Sequence, residues 1–427
     1  MLIEPDKIKS LNAKVLDTHQ KEFDHLRFQI EEKGLDYEAI VEKLKKFQIA
    51  IPSWALGAGG TRFGRFSGGG EPRDLKEKIE DVGTLNQLTR SCSRISLHIP
   101  WDIPSNQNEI KELSRKHGIS FDAVNSNTFQ DQENQQYSYK YGSLSHTDRD
   151  VREQAIQHNK EVIKQGIGLG SKALTVWLAD GSSFPGQQHF KTALKNTIDS
   201  LHEIYDHLPG EWNIFVEYKP FEPNFYSMVI PDWGTSHLIA NELGRKAKCL
   251  VDLGHHLPNT NIEQIVAILC LSGKLGGFHF NDSKYADDDL TSGSLKPYQL
   301  FLIFNELLDQ KLNDESQQQD LGWMIDASHN LKDPLEDLLQ SIEAINTGMA
   351  KALLIDRKKL YEAQESNDVA VSQEILQDAF QIDVRPLLRQ LRYESEGAIF
   401  PLKSYRELSV RNGLIKKRGA KSISTGL

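Results

Sequence analysis

Eight short apolar segments rich in β-branched residues alternate with longer segments of helical periodicity along this chain of 427 residues. They span residues 48–54, 94–100, 120–127, 172–178, 213–219, 249–256, 276–282 and 322–329. Strands that alternate with helices predict βαβ units and therefore a parallel sheet. Eight such units predict an α/β protein built as a (β/α)8 TIM barrel, whose strands are buried on both faces. An open Rossmann-like sheet is the alternative.

The segments on either side of the barrel lack strand patterns and read as helical. We expect an N-terminal helical segment at 1–47, a catalytic barrel at 48–347, and a helical extension with a basic tail at 348–427. Within the barrel, one helix is predicted to begin after an N-cap at Ser105 and to end at Gly118. The tail "RNGLIKKRGAKSISTGL" predicts a frayed terminus, with RNA binding as a second alternative.

Composition narrows the classes of partner. A net charge of −10 argues against nucleic acid, because phosphate binding needs a basic surface. No stretch approaches the roughly 18 apolar residues of a membrane helix, so no membrane partner is expected. The first twenty residues show no signal-peptide core, and the three cysteines follow no zinc or disulfide spacing. We therefore expect a cytoplasmic protein.

Side chains capable of chemistry recur at the carboxyl ends of the predicted strands. They are Trp54, His98, Asn125, Trp177, Glu217, Lys219, Asp252, His255, His279 and Asp326. In a barrel these strand ends converge on one face, which is where barrel enzymes place their active sites. The pattern predicts one functional site at the barrel mouth.

Four of these side chains come from the last four predicted strands and form a set of metal ligands without a thiolate. They are Glu217, Asp252, His279 and Asp326. Oxygen and imidazole ligands of this kind suit Mn²⁺, Mg²⁺ or Co²⁺. The alternative is that each carboxylate pairs with a nearby Lys or Arg. Acids crowded into a barrel mouth repel one another, however, and a cation relieves that repulsion.

A second set of ligands adjoins the first. His255 follows Asp252 by three positions, and Asp287 and Asp289 lie two apart, so that in an extended chain both point the same way. Together the two sets predict two neighbouring divalent cations, with Asp252 placed to bridge them.

Lys219 and His98 are candidate substrate contacts. Lys219 follows Glu217 by two positions, so its ammonium points into the same mouth and can polarise a substrate oxygen. A salt bridge with Glu217 is the alternative. His98 can hydrogen-bond a sugar ring oxygen and help to open the ring, with a satisfied core histidine as the alternative.

Aromatic residues offer apolar walls for the C–H face of a sugar. Trp54 and Trp177 lie at strand ends, and Phe63 lies nearby, although tryptophans in apolar runs are commonly core residues. The Gly-rich segment 57–73 lacks the Gly-Lys-Ser/Thr of a phosphate-binding loop. We expect it to be a lid over the mouth, with Arg62, Phe63 and Arg65 as its working side chains.

Several long motifs together resemble the L-rhamnose isomerases, most closely the bacterial branch with broad aldose–ketose specificity. They are "IPSW…GGTRFGRF…GEPR", "SLHIPWD", "VEYKPFEP", "VDLGHH", "FHFNDSKYADDD" and "MIDASHNLKDP", which cover roughly residues 48 to 335. The resemblance implies a xylose-isomerase-like barrel with two divalent ions per subunit, usually Mn²⁺, in a homotetramer.

The resemblance also implies roles for the candidate residues. The first ion would be held by Glu217, Asp252, His279 and Asp326, and the second by Asp252, His255, Asp287 and Asp289. Lys219 and His98 fall on positions that contact substrate. The Gly-rich loop resembles a segment lent by a neighbouring subunit, which makes Phe63 an apolar wall contributed in trans.

The implied reaction is reversible conversion of L-rhamnose to L-rhamnulose. The sugar ring opens with help from His98 or an acid such as Asp326, and the two ions polarise O1 and O2 while hydrogen moves between C1 and C2. A sugar epimerase on the same fold is the nearest alternative. A metal-dependent barrel hydrolase and a non-catalytic carbohydrate-binding barrel are the others.

Overall fold

Eight parallel strands close into a barrel in a computed structural model of the protein, which describes residues 3–58, 66, 68–222, 227–309, 321–327 and 331–422. The strands are β1 (Ala50–Pro52), β2 (Arg94–Ile99), β3 (Ser120–Ser126), β4 (Ala173–Val176), β5 (Asn213–Glu217), β6 (Ala247–Asp252), β7 (Leu275–Phe280) and β8 (Gly322–Ile325). Each strand pairs with the next, and β8 pairs with β1. The predicted TIM barrel is confirmed, and the open-sheet alternative is wrong.

A helix follows each strand and covers the outside of the barrel. These helices are α4 (Leu75–Thr89), α5 (Gln107–Lys116), α6 (Arg149–Leu169), α7 (Phe190–Tyr205), α8 (Trp233–Leu243), α9 (Ile262–Leu271), α10 (Pro297–Leu308) and α11 (Pro334–Leu353). The N-cap predicted at Ser105 is wrong by one residue, because the Asn106 side chain accepts hydrogen bonds from the backbone N–H groups of Asn108 and Glu109. Gly118 ends this helix region as predicted, with φ +67°.

The flanking segments form helices that pack on this barrel and on each other. Before β1 come α1 (Pro5–Ala13), α2 (Leu16–Glu32) and α3 (Tyr37–Lys46). After α11 come α12 (Arg357–Glu365), α13 (Val369–Gln381), α14 (Arg385–Glu394), α15 (Pro401–Glu407) and α16 (Val410–Arg418). Buried Asn12 joins the two flanks, donating to the carbonyl of Gly397 at 2.8 Å and accepting from the N–H of Ile399 at 2.9 Å. None of the described helices combines the length and apolarity needed to cross a bilayer.

A small apolar layer fills the barrel below its mouth. It consists of Ala123, Ala173, Phe215 and Leu250, which form a buried cluster separate from the main core. Since side chains alternate along a strand, the residues two positions further on point to the same side. Those residues are Asn125, Thr175, Glu217 and Asp252. The polar side chains of the mouth therefore lie on an apolar layer, as in other packed barrels.

The basic tail is not frayed through residue 422, which corrects the sequence expectation. Helix α16 packs against the start of α4, and the Arg418 side chain is fully buried. Its guanidinium donates to both carboxylate oxygens of Asp81 at 2.7 and 2.8 Å and to the carbonyl of Gly70 at 3.1 Å. A buried bidentate ion pair of this kind is costly to break, at roughly 3–5 kcal/mol. This charge is therefore compensated within the protein.

Gly70, in the Gly-rich segment, packs closely against α16. Its φ is +73°, its N–H donates to the carbonyl of Gly419 at 2.9 Å, and an added Cβ would lie 2.8 Å from the backbone nitrogen of Ile415. Gly34 provides a matched control, because its φ is +69° and an added Cβ would meet nothing within 4 Å.

We predict that Gly70→Ala lowers the free energy of unfolding more than Gly34→Ala does. The left-handed backbone alone costs about 1 kcal/mol for alanine, and the overlap with α16 adds roughly 1–3 kcal/mol at Gly70. Denaturant unfolding of both variants measures the difference. Equal losses would show that α16 does not hold the segment in the described position.

Candidate metal centre

His279 lies at the centre of the first predicted ligand set. Its Nδ1 atom is 3.1 Å from Oε1 of Glu217, 3.5 Å from Oδ2 of Asp326 and 3.7 Å from Oδ2 of Asp252. One ligand atom from each of the four residues lies within 4.8 Å of all the others. The barrel places them together because they lie at or just beyond the ends of the consecutive strands β5 to β8, with Asp252 directly opposite His279 in the register.

A second group shares Asp252 with the first and adds His255 and Asp287, again with ligand atoms within 4.8 Å of one another. Nε2 of His255 is 3.3 Å from Oδ2 of Asp287 and 4.0 Å from Oδ2 of Asp252. Nδ1 of His255 lies 2.9 Å from the carbonyl of Tyr218, to which it can donate. That bond selects the tautomer in which the lone pair of Nε2 faces the carboxylates.

Asp289 is not one of the three residues in this second group. The extended geometry expected for 287–289 is wrong, because Asp289 has a left-handed φ of +48°. The period-two alternation that would point both side chains the same way does not apply to such a backbone. Its role as a ligand stays a prediction.

Burial and crowding change the proton affinities of the cluster. Burial raises the pKa of Asp252 to about 7, with the neighbouring carboxylates of Asp287 and Asp326 adding to the effect. Burial alone would lower the pKa of His279, but the negative charges of Glu217, Asp326 and Asp252 overcome it and raise this pKa to about 9. Without a metal the cluster therefore holds protons that reduce its negative charge.

The donor set fits a divalent cation. Oδ2 of Asp252 and Oδ1 of Asn281 are buried and have no hydrogen-bond partner among the residues that the structure describes. The amide nitrogen of Asn281 donates to the other oxygen of Asp252 at 2.9 Å and so fixes that carboxylate. Buried carboxylates and imidazoles without thiolates suit Mn²⁺, Mg²⁺ or Co²⁺. These residues could hold metal at both groups.

Lys219 pairs with Asp287 rather than with Glu217. Its ammonium lies 2.6 Å from Oδ2 of Asp287, with both side chains buried, and 5.5 Å from the ring centroid of Trp177. The predicted position in the mouth agrees with the structure, whereas the alternative partner, Glu217, is not the one observed. Lys219 therefore connects the second ligand group to the aromatic wall.

An aromatic wall borders the ligands on the side of β1 to β4. The His98 ring lies between Trp54 and Trp101, with centroid distances of 5.2 and 4.8 Å, and Phe129 stands 4.9 Å from Trp177. The indole nitrogen of Trp54 donates to Oδ1 of Asp326 at 2.9 Å, which ties the wall to the first ligand group.

Two members of this wall, Trp101 and Phe129, were missed from the sequence. Each lies within three residues of the end of a strand, β2 or β3, which is the signal that could have identified them. Phe63 lies outside the described residues, as do Arg62 and Arg65.

Burial lowers the pKa of His98 to about 4, so its imidazole is neutral at physiological pH. The neutral ring can therefore donate a hydrogen bond to a substrate oxygen, or accept one from a substrate hydroxyl, without carrying charge.

We predict that Mn²⁺ binding strengthens as the pH rises from about 6 to about 9. Asp252 and His279 must lose their protons to act as ligands, and each displaced proton raises the apparent affinity by about tenfold per pH unit. Competition titrations of metal-stripped protein against a chelator of known affinity measure this slope. An affinity independent of pH would contradict the protonated state of the cluster.

We also predict, from the raised pKa values of Asp252 and His279, that the metal-free protein loses stability as the pH rises. The pKa of Asp252 is raised from 3.8 to about 7, and that of His279 from 6.5 to about 9. Within each of these two pH ranges the folded state binds more protons than the unfolded state, so its stability falls as the pH rises. The stabilisation by Mn²⁺, measured as a shift in unfolding temperature, should therefore grow over this range. A shift that shrinks with pH would contradict the sign.

Comparison with known proteins agrees with this geometry. Residues 87–302 match the xylose isomerase-like TIM barrel family. A probable sugar isomerase of Rhizobium meliloti (strain 1021) is 49% identical over 98% of this chain and 97% of its own. A probable sugar isomerase of Mesorhizobium japonicum is 47% identical over 100% of this chain and 98% of its own.

Two solved structures share the fold at low sequence identity. The apo form of 3-keto-D-glucoside 4-epimerase from E. coli has a TM-score of 0.51 and 13% identity, covering 71% of this chain and 100% of that one. L-ribulose 3-epimerase has a TM-score of 0.50 and 11% identity, covering 74% and 97%. The family match and the two long relatives lead to one conclusion: this chain belongs to the xylose isomerase-like TIM barrel family.

Proposed function

We propose that the protein is a cytoplasmic, metal-dependent aldose–ketose isomerase that interconverts L-rhamnose and L-rhamnulose with two divalent cations, preferably Mn²⁺. The observation that carries the proposal is the pair of ligand groups sharing Asp252 at the barrel mouth, beside a neutral His98 and a cationic Lys219. The two relatives named probable sugar isomerases support the reaction class.

The choice of L-rhamnose rests on the sequence motifs and on the aromatic wall of the site. L-Rhamnose is a 6-deoxy sugar, so it presents a methyl group in addition to its C–H faces. The wall formed by Trp54, Trp101, Phe129 and Trp177 offers apolar surface of the kind that such faces contact. The motifs that resemble L-rhamnose isomerases include residues of this wall.

Divalent cations in the two groups would act as Lewis acids toward the sugar oxygens O1 and O2. The residues of the chain then have separate tasks. Glu217, Asp252, His279 and Asp326 would hold the first cation, and Asp252, His255, Asp287 and Asp289 would hold the second.

His98 hydrogen-bonds the ring oxygen of the closed sugar, and either His98 or Asp326 assists its opening. Lys219 places a positive charge beside a substrate oxygen, while the aromatic wall excludes water from the reacting carbons.

A homotetramer is part of the proposal. Phe66, Tyr285 and Leu331 lie on the loops that follow β1, β7 and β8, on the face of the barrel mouth, and are 64%, 73% and 80% exposed. Large apolar side chains left in solvent around a site mark a surface that another chain can cover. The proposed neighbouring subunit would cover this surface and contribute Phe63 to the mouth.

The first test is sugar conversion by metal-stripped protein with and without added Mn²⁺. L-Rhamnose is offered beside a panel of aldoses and ketoses, and the products are separated by chromatography. We expect L-rhamnulose to form only when Mn²⁺ is present. An epimer as the product, or conversion that continues without metal, would replace the proposal with the corresponding alternative.

Substitutions separate the metal ligands from the substrate contacts. Asp252→Ala should abolish activity and reduce metal binding, because this carboxylate belongs to both groups, and Asp326→Asn should abolish activity by removing a ligand of the first. Lys219→Met should lower turnover by about 10²-fold or more while metal remains bound. Lys248→Met is the matched control, since Lys248 bonds the Gly273 carbonyl, away from the ligand groups. Full activity of Asp252→Ala with stoichiometric metal would refute the ligand assignment.

A further inference from the structure

We propose that Asp282 is a positioning residue that folds the β7–α10 loop (residues 281–296) so that Asp287 faces the second ligand group. Asp288 completes the fold at the loop tip. The inference rests on the proposed function insofar as that group is taken to bind metal. It assigns two of the four aspartates in "NDSKYADDD" to building the loop rather than to holding an ion.

Asp282 lies where the loop begins and binds the place where it ends. Its side chain is buried, and Oδ2 accepts hydrogen bonds from the N–H groups of Leu295 at 2.7 Å and Lys296 at 2.9 Å. Its Oδ1 accepts from the N–H of Ser283 at 2.9 Å. One carboxylate thus joins both ends of the loop, directly before α10 begins at Pro297.

The backbone of Asp282 closes the loop a second time. Its N–H donates to the carbonyl of Leu290, and the N–H of Leu290 donates back to the carbonyl of Asp282, both at 2.9 Å. Residues 283–289 are therefore enclosed between two paired residues. A loop closed in this way has few backbone conformations left, and its side-chain directions are fixed accordingly.

Asp288 orders the tip of the enclosed segment. Its Oδ2 accepts from the N–H groups of Lys284 at 2.6 Å and Tyr285 at 3.0 Å. With the carboxylate of Asp288 turned back onto the loop, the neighbouring Asp287 points inward, to 2.6 Å from Nζ of Lys219 and 3.3 Å from Nε2 of His255.

Gly254 shows how closely the loop approaches β6. A Cβ added there would lie 2.9 Å from Oδ1 of Asp287 and 3.1 Å from Oδ1 of Asn281. The glycine therefore leaves room for Asp287 beside Asp252. An alanine at this position would press on both Asp287 and Asn281, and through Asn281 on Asp252.

The two ligand groups consequently differ in what holds them. The first is attached to the ends of four hydrogen-bonded strands, whereas the second depends on one loop for Asp287. Residues that orient ligands without touching the ion typically change metal affinity by about 10- to 100-fold. We therefore expect Asp282 to set the affinity of the second ion and to leave the first unchanged.

The test is a titration of metal-stripped protein with MnCl₂, in which free Mn²⁺ is followed by electron paramagnetic resonance. We expect the wild-type chain to bind two ions and Asp282→Ala to bind one with wild-type affinity and the other about 10- to 100-fold more weakly. Asp282→Asn keeps one acceptor oxygen, so its affinity for the second ion should lie between those of the wild-type chain and of Asp282→Ala. Activity lost by Asp282→Ala should return at high Mn²⁺ concentration.

Asp180→Ala is the matched control. Asp180 is also buried and accepts from the N–H groups of Ser143 and Ser145 at 2.7 and 2.9 Å, but it orders a different loop. Its substitution should leave both Mn²⁺ affinities unchanged. If Asp282→Ala does not fold, Asp288→Asn decides, because it should weaken only the second ion.

The outcomes separate this inference from the proposed function. Two ions of unchanged affinity in the Asp282 and Asp288 variants would overturn the positioning role and leave the proposed function intact. Equal weakening of both ions would also overturn it, because the effect would not be local to the loop. A wild-type chain that binds no Mn²⁺ would overturn both.

Discussion

Barrel closure determines which side chains point into the mouth and how deeply they are buried. Every second residue of a strand points inward, and below the mouth Ala123, Ala173, Phe215 and Leu250 fill the interior. Glu217 and Asp252 stand directly above this layer and are almost fully buried. Their mutual repulsion in a poorly solvated volume is the constraint to which the surrounding residues respond.

The metal-free cluster meets this constraint with several partial solutions. His279 keeps a proton among three carboxylates, Asp252 holds a proton up to about pH 7, and Lys219 neutralises Asp287. A divalent cation in each group would perform the same compensation in place of these protons. The buried carboxylates that cost stability in the metal-free protein are thus the ones that prepare the site for metal.

The sequence predicted what depends on strand periodicity and missed what depends on distant contacts. Glu217, Asp252, His279 and Asp326 were identifiable because the ends of parallel strands converge. The backbone of Asp289 and the loop-forming roles of Asp282 and Asp288 follow from a bridge and a turn that no periodicity encodes. Likewise, the pairing of Lys219 with Asp287 joins residues 68 positions apart. Side-chain alternation predicts that Lys219 points into the mouth, but it does not identify Asp287 as its partner.

The docking of α16 on the first helix of the barrel has a consequence for synthesis on the ribosome. Arg418 reaches Asp81 and Gly70 across more than 330 positions of the chain. The carboxylate of Asp81 consequently lacks its partner Arg418 while the rest of the barrel is translated. The first βα unit can reach its final packing only after α16 has left the exit tunnel. The first βα unit is therefore translated early, but its packing is completed late.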